Sequence, residues 1–170
     1  GDVLQVRAPS GHFYLERGST PIVLVAGGIG ITPILSMLND TLNTYSTREV
    51  WVFYGVRNSA EHAMKEHLER VARDKEHVHL QVCYSRPLAE DVHGEDYQHE
   101  SRVTVSLLRQ VLPFQVYDFY ICGPSPMMES LIPEMEEWGV PDQHIHYEAF
   151  GPASITRSSR KKPAGEDAAA

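Results

Sequence analysis

The sequence lacks the features that mark membrane, disulfide-rich and nucleic-acid-binding proteins. No apolar run approaches the ~20 residues needed to cross a bilayer, and the N-terminal residues carry no charged-then-apolar signal pattern. Only two cysteines occur, Cys83 and Cys122, each within an apolar strand-like run, which predicts buried, reduced thiols rather than a disulfide framework. A net charge of -8 argues against a nucleic-acid surface. We therefore expect a cytoplasmic protein with no nucleic-acid and no membrane partner.

Short β-rich runs alternate with helix-like segments along most of the 170 residues. The strand-like runs are almost continuously apolar, as in strands of a parallel sheet covered on both faces. The pattern therefore predicts an α/β fold, a doubly wound five-stranded parallel sheet that is Rossmann-like. The strand-like runs are 22–26, 49–56, 78–84, 117–123 and 144–150, and the helix-like segments are 33–43, 59–74, 105–112 and 125–138.

Both ends of the chain depart from this alternation. Residues 1–16 read as two short strands around a Pro-Ser-Gly turn, and an isolated hairpin is marginal in water, so we expect it to belong to another β-domain. The tail is rich in Ser, Pro, Gly, Ala and basic residues, a composition typical of a linker. The predicted organisation is a barrel remnant at 1–18, a nucleotide-binding domain at 19–155 and a flexible linker or tail at 156–170.

A glycine-rich loop follows the first strand-like run. Gly27, Gly28 and Gly30 precede a helix in which Thr32 is the expected N-cap and Pro33 the expected first residue. Glycines allow positive φ angles and let backbone N–H groups approach a ligand, and a helix N-terminus attracts phosphate. The alternative is a tight turn in which the glycines serve packing alone. The spacing is not GxGxxG and no P-loop lysine follows, so the loop by itself predicts a phosphate or dinucleotide site and nothing narrower.

Four motifs occur in a characteristic order: "GGIGITP" at 27–33, "YGVRN" at 54–58, "CGPSPMM" at 122–128 and "EAFGP" at 148–152. This set resembles the NAD(P)-binding domain of the ferredoxin–NADP reductase superfamily, particularly flavohaemoglobins and phthalate-dioxygenase-type reductases. The resemblance extends over about residues 1–155, and the first segment resembles the last strands of the family's FAD-binding barrel. The rest of that barrel, including its Arg-x-Tyr-Ser segment, is absent, so FAD would be bound largely by a missing domain.

The resemblance implies a role for each motif. The glycine loop would receive the pyrophosphate, the second motif would border the nucleotide, and Gly123 and Pro124 would leave room for it. Cys122 would lie beside the nicotinamide, Phe150 would cover the flavin, and Glu148 would lie near the same junction; these three are the candidate catalytic residues. The candidate cofactor-binding residues are Gly27, Gly28, Ile29, Gly30, Thr32, Pro33, Tyr54, Gly55, Arg57, Ser85, Arg86, Cys122, Gly123, Pro124, Met127 and Phe150.

Several of these residues have simpler explanations. Cys122 and Phe150 could be ordinary core residues, and hydride transfer needs alignment rather than a thiolate. Met127 and Met128 open a helix whose apolar side favours packing over a cofactor contact. Within the same helix, Pro133 predicts a kink or a break.

The choice between NADPH and NADH depends on the end of the third strand. Ser85 and Arg86 could grip a 2′-phosphate, which favours NADPH, or Arg86 could simply be solvated. Two His-x-His pairs, at 77 and 79 and at 144 and 146, place both rings on one strand face, but no Cys or carboxylate partner stands at ligand spacing, and no metal is predicted.

The resemblance implies the NAD(P)H-binding part of a flavin-dependent oxidoreductase. Hydride would pass from NADPH or NADH to FAD on a FAD-binding domain, and electrons would continue to a ferredoxin-like 2Fe-2S domain or a haem. The segment "HYEAFGPASI" followed by a flexible tail favours the iron–sulfur acceptor. The alternative hypothesis is a non-catalytic nucleotide-binding module that is inactive without a flavin domain.

Overall fold

The computed structural model describes residues 3–4, 11–44 and 47–150, with the backbone alone at Phe150. Nine main elements follow one another in strict β/α alternation, and short 3-10 turns at Gly28–Gly30, Ser59–Glu61 and Asp142–His144 join some of them. The elements are β1 (Ile22–Gly27), α1 (Ile31–Thr44), β2 (Val50–Val56), α2 (Lys65–Asp74), β3 (Val78–Tyr84), α3 (Val105–Val111), β4 (Asp118–Pro124), α4 (Ser125–Trp138) and β5 (Ile145–Phe150).

The strands form one parallel sheet in the order β3-β2-β1-β4-β5. The six residues of β1 are all buried, and they alternate between two core layers. Ile22 and Leu24 pack in the layer of α1 and α2, whereas Val23 packs in the layer of α3 and α4. The predicted doubly wound α/β fold is therefore confirmed, and the near-continuous apolar strands are explained by burial on both faces.

The strand order places the glycine loop at the centre of the sheet's carboxyl edge. From β1 the chain winds outward to β2 and β3, and it then crosses to β4 on the other side of β1. Such a reversal of direction is the topological switch point at which open α/β sheets bind ligands.

The N-terminal hairpin is not seen in the part of segment 1–18 that the structure describes. Residues 3–4 and 11–18 contain no strand, and the other residues of that prediction lie outside the described ranges. Phe13 and Leu15 instead pack against the α1 and α2 layer, and Glu16 N donates to the Tyr120 hydroxyl at 3.0 Å. The backbone N–H and C=O groups of a strand need a neighbouring strand to pair with. Residues 11–18 pair with no strand and contact the rest of the domain through these other interactions. The predicted tail, 156–170, also lies outside the described residues.

Pro133 does not break α4. The helix runs without interruption from Ser125 to Trp138, and Pro133 lies on its exposed side. The carbonyl that loses its N–H partner there can be solvated, whereas Met128, Leu131 and Met135 still pack in the core. Of the two predicted outcomes, the break was therefore wrong, and the kink stays a prediction.

The amino-terminal edge of the sheet is held by a buried arginine. Arg48 Nε donates to the Thr20 carbonyl at 2.6 Å, and its Nη1 donates to the Glu16 carbonyl at 3.1 Å. Its Nη2 forms an ion pair with Asp118 at 3.4 Å, and the side chain is 1% exposed. This contact ties the segment before β1 to the beginning of β4.

Within the described ranges, none of the helices combines the length and the apolar character that crossing a bilayer would require.

Candidate functional site

The turn between β1 and α1 requires glycine for two different reasons. Gly28 has φ of 51°, a left-handed value, and a Cβ built there would meet nothing within 4 Å. Gly30, by contrast, lies against β4, because its Cβ would overlap the Cys122 carbonyl and approach the Gly123 nitrogen to 2.8 Å. Gly28 thus keeps an open, bare backbone at the sheet edge, and Gly30 permits close packing. The packing interpretation is therefore confirmed at Gly30, whereas phosphate binding at Gly28 stays a prediction.

Gly27 and Gly123 form a second close approach, at the ends of β1 and β4. A Cβ on Gly123 would lie 3.2 Å from the Gly27 Cα and 2.8 Å from the Met127 sulfur. Met127 therefore packs directly over this pair of glycines, in agreement with the packing interpretation of its side chain. It also borders the cavity described below.

The predicted start of α1 was wrong by two residues. The 3-10 turn Gly28–Gly30 continues directly into a helix that begins at Ile31, so Thr32 is not the N-cap and Pro33 is not the first residue. The Thr32 hydroxyl instead donates to the Ile29 carbonyl at 3.1 Å. Pro33 is tolerated because N–H groups in the first helical turn have no intrahelical acceptor.

A cavity of about 410 Å³ opens beside the glycine turn, between the carboxyl ends of the strands and α4. Its volume lies within the range of small-molecule sites. Seven predicted residues line it: Gly27, Gly28, Gly55, Arg57, Ser85, Pro124 and Met127. Seven further lining residues were not predicted: Val56, Glu61, Arg102, Val103, Thr104, Pro126 and Ser130.

Other predicted residues do not line this cavity. Tyr54 is fully buried in the α1 and α2 layer, with its ring edge-on to His62 at 5.3 Å between centroids. Ile29 protrudes from the turn with 61% exposure. The Phe150 side chain lies outside what the structure describes. The remaining predicted residues that are absent from the cavity wall are Gly30, Thr32, Pro33, Arg86, Cys122, Gly123 and Glu148.

Cys122 does not line the cavity. Its side chain is completely buried in the α1 and α2 layer, while its carbonyl faces Gly30. Burial, and then the charge of Glu148 on the neighbouring strand, raise the pKa of the Cys122 thiol to about 11. The thiol is therefore neutral at physiological pH, and its complete burial agrees with the alternative that Cys122 is an ordinary core residue; its place beside the nicotinamide stays a prediction.

Arg57 and Glu61 form an ion pair in the cavity wall. The 3-10 turn Ser59–Glu61 brings the carboxylate back toward the arginine that directly follows β2. The hydrogen bond from Arg57 lowers the pKa of the Glu61 carboxyl, so Glu61 is ionised at neutral pH. The two side chains are 65% and 37% exposed, so solvent reaches both partners.

Of the predicted pair Ser85 and Arg86, only Ser85 lies in the cavity wall. Ser85 borders the cavity, and its N–H donates to the Val56 carbonyl at 3.0 Å. Arg86 is exposed, and its backbone N–H donates to the Arg57 carbonyl at 2.8 Å. The hypothesis that both residues grip a 2′-phosphate stays a prediction.

The segment 102–104 is the main contribution that sequence reasoning missed. Val103 packs over the end of β2, because a Cβ on Gly55 would lie 3.2 Å from its Cγ2. Thr104 caps α3, its side chain accepting from Leu107 N at 3.2 Å. A Thr before an apolar helical run is a recognisable start signal. Nothing in the sequence, however, indicates that Arg102 returns to the cavity after the long loop that follows β3.

Three of the four paired histidines have ring or hydrogen-bond partners, whereas the buried Nε2 of His77 has no hydrogen-bond partner. His79 stacks on Trp51 with 4.1 Å between centroids, and His146 stacks on Tyr120 at 4.6 Å. His144 Nδ1 lies 2.6 Å from Asp118 Oδ1. Across residues 3–4, 11–44 and 47–150, no three His, Cys, Asp or Glu side chains are grouped so as to hold a metal ion.

Residues 24–132 match the family model described as an oxidoreductase NAD-binding domain. The chain belongs to this family. The resemblance to ferredoxin–NADP reductases noted from the motifs is thereby confirmed, because the matched residues contain the glycine turn, the cavity wall contributed by β2 and β3, and Cys122.

Curated relatives extend the comparison along almost the whole chain. The flavohemoprotein of Halalkalibacterium halodurans is 42% identical over 160 residues, covering 94% of this chain and 39% of the relative. The flavohemoprotein of Rhizobium meliloti is 40% identical, with 89% and 38% covered. The chain thus spans about two fifths of the length of these curated relatives.

Solved structures share the same architecture. The flavohem-like FAD/NAD-binding domain of nitric oxide dioxygenase from Vibrio cholerae O1 biovar El Tor superposes with a TM-score of 0.70 at 28% identity, covering 85% of this chain and 57% of that one. The flavohemoglobin of Malassezia yamatoensis, with bound FAD and heme, gives a TM-score of 0.64 at 25% identity, covering 78% and 32%. These likenesses agree with the five-stranded α/β domain described above.

Proposed function

We propose that this chain is the NAD(P)H-binding part of a flavin-dependent oxidoreductase. The bare backbone of Gly28 carries the proposal, because it combines a left-handed φ with open space at the switch point of the sheet. A diphosphate needs this approach to main-chain N–H groups, and the adjoining cavity offers room for the rest of a nucleotide. The family match and the flavohemoprotein relatives support the same assignment.

The chain's own residues would bind and orient the dinucleotide across the carboxyl edge of the sheet. The glycine turn is central, the cavity reaches from the start of α4 across the turn to the ends of β2 and β3, and Cys122 and Glu148 occupy paired positions on β4 and β5. An extended dinucleotide would therefore place its diphosphate over Gly28, its adenosine in the cavity and its nicotinamide toward Cys122. The nicotinamide supplies hydride chemistry, and the strand ends that carry Cys122 and Glu148 would border it. FAD would be bound by an adjoining domain.

The proposed acceptor is a haem. The relatives are named flavohemoproteins, and one solved neighbour contains FAD and heme. These comparisons support the haem hypothesis rather than the 2Fe-2S acceptor favoured by segment 146–155 and the tail that follows it. The partners proposed for the whole protein are thus a FAD-binding domain and a haem domain.

Titration of the chain with NADH, NADPH and adenosine diphosphate tests the nucleotide site. We expect Gly28→Ala to weaken all three at least about tenfold, because a methyl group would enter the space reserved for the diphosphate. Gly94→Ala is the matched control, since Gly94 also has a positive φ and open surroundings but does not line the cavity. Absence of binding at millimolar ligand, or equal effects of the two variants, would contradict the proposal.

The alternative, a non-catalytic nucleotide-binding module, is separated by adding a flavin domain. The redox proposal expects bleaching of flavin absorbance when NADH or NADPH is added to the chain together with the FAD-binding domain of a flavohemoprotein relative. The module hypothesis expects nucleotide binding with no flavin reduction.

A further inference from the structure

The cavity wall carries an acidic residue whose position suggests a role in choosing the dinucleotide. Glu61 lines the cavity and is held by Arg57, four residues earlier and also in the wall. Ordinary surface pairs of this spacing contribute little to stability. This pair lies instead at the end of β2, on the side of the glycine turn that faces β3.

The strand order indicates which part of a bound dinucleotide reaches the pair. Neighbouring strands lie about 4.8 Å apart, so the ends of β2 and β3 lie roughly 5 and 10 Å from that of β1. If the diphosphate lies over Gly28 and the nicotinamide toward β4 and β5, the adenosine ribose lies near Arg57 and Ser85. This step rests on the proposed function.

Charge then discriminates between the two common dinucleotides. The charged residues of the cavity wall, within the described part of the chain, are Arg57, Glu61 and Arg102. Glu61 offsets the charge of Arg57, and its carboxylate would repel the additional negative charge of a 2′-phosphate. A 2′-hydroxyl is neutral and can donate a hydrogen bond to a carboxylate, as acidic residues do in NAD-selective nucleotide folds.

We propose that Glu61 is a specificity-determining residue that selects NADH over NADPH by engaging Arg57 and excluding a 2′-phosphate. In this arrangement Arg102 remains available to the phosphates that both dinucleotides share. This proposal predicts a preference for NADH, whereas the hypothesis based on Ser85 and Arg86 predicts a preference for NADPH.

The test compares paired ligands that differ only in the 2′-phosphate. Calorimetric titration of the chain with 2′,5′-ADP and 5′-ADP, and with NADPH and NADH, gives two affinity ratios. We expect Glu61→Gln to raise the affinity for the ligand with the 2′-phosphate, relative to the ligand without it, about fivefold or more in each pair. The substitution removes a repulsive charge and releases Arg57. Adding Arg57→Gln to this variant should cancel most of the gain.

Glu66→Gln is the matched control. It removes the same charge from an exposed position on α2 that does not line the cavity, so both ratios should stay as in the unmodified chain. Far-UV circular dichroism verifies that each variant is folded.

The outcomes separate this inference from the function on which it rests. If all four ligands bind and Glu61→Gln leaves both ratios unchanged, or if Glu66→Gln changes them equally, the role of Glu61 is refuted and the nucleotide site stands. A preference of the unmodified chain for NADPH would also refute it. If none of the ligands binds at millimolar concentration, the proposed function itself fails.

Discussion

Replacement of Gly30 by alanine tests the close approach between the glycine turn and β4. The new Cβ would overlap the Cys122 carbonyl group and lie 2.8 Å from the Gly123 nitrogen. These are backbone atoms of a strand that pairs with both β1 and β5, so no side-chain rotation can make room. The turn must therefore move away from the sheet, or β4 must leave its register.

The expected loss of stability follows from this geometry. Overpacking in protein cores costs about 1–3 kcal/mol, and a clash with paired backbone belongs near the top of that range. Because alanine is otherwise favoured over glycine by about 0.5–1 kcal/mol in helical turns, the net loss should be about 2 kcal/mol. For a chain of this size, that corresponds to a melting temperature lower by roughly 4–8 °C.

Urea unfolding followed by far-UV circular dichroism measures this loss. Gly18→Ala is the control, because Gly18 is exposed, has an ordinary φ and would have nothing within 4 Å of an added Cβ. We expect the Gly18 variant to unfold at the same urea concentration as the unmodified chain. An unchanged midpoint for Gly30→Ala would refute the argument that Gly30 is required by contact with β4.

Three further predictions concern buried polar groups. Arg48→Met should lower the free energy of unfolding by about 2 kcal/mol in urea titrations, since it removes the buried donor to two carbonyls and one partner of the partly buried Asp118 carboxylate, which retains its contact with His144; a loss below about 1 kcal/mol would contradict this. Burial lowers the pKa of His62 from 6.5 to about 4, so the unfolded chain binds a proton at a higher pH than the folded chain does. Between pH 7 and pH 4 the free energy of unfolding should therefore fall by about 3 kcal/mol more in the unmodified chain than in His62→Gln. Parallel pH profiles of the two proteins would refute this prediction. Burial raises the pKa of the Cys83 thiol to about 12 and that of the Cys122 thiol to about 11. Iodoacetamide at pH 8 should therefore alkylate neither thiol in the folded chain and both thiols in urea, as measured by mass spectrometry. Rapid modification of either thiol in the folded chain would contradict their burial.

The pattern of apolar residues along the chain predicted the limits of strands and helices well where those elements are deeply buried. The limits predicted for β3 and α4 agree with the observed Val78–Tyr84 and Ser125–Trp138, because apolar runs and helical periodicity are strong signals there. The failures occurred at helix starts and at prolines. Thr32 resembles an N-cap, but the preceding 3-10 turn had already begun the helix, and Pro133 lies on an exposed face where its missing N–H does little harm.

The candidate site was predicted less completely than the fold. Motifs at strand ends identified Gly28, Gly55, Arg57 and Ser85, because carboxyl ends of parallel strands share one edge of the sheet. Arg102 could not be found in this way, since a long loop separates it from the strand that it returns to. Glu61 belongs to no recognised motif, and its candidate role depends on the ion pair with Arg57 that the 3-10 turn Ser59–Glu61 allows.

The order of apolar runs, helical segments and glycines along the chain was enough to determine the class of fold and the edge of the sheet at which the candidate site lies, because both depend on local periodicity and on the direction of parallel strands. Only the tertiary structure decided which side chains face the cavity. It separated Gly28, which borders open space, from Gly30, which touches β4, and it buried Cys122 and Tyr54 in the layer beneath α1 and α2. Those distinctions arise from distances between segments far apart in the chain, which no local pattern encodes.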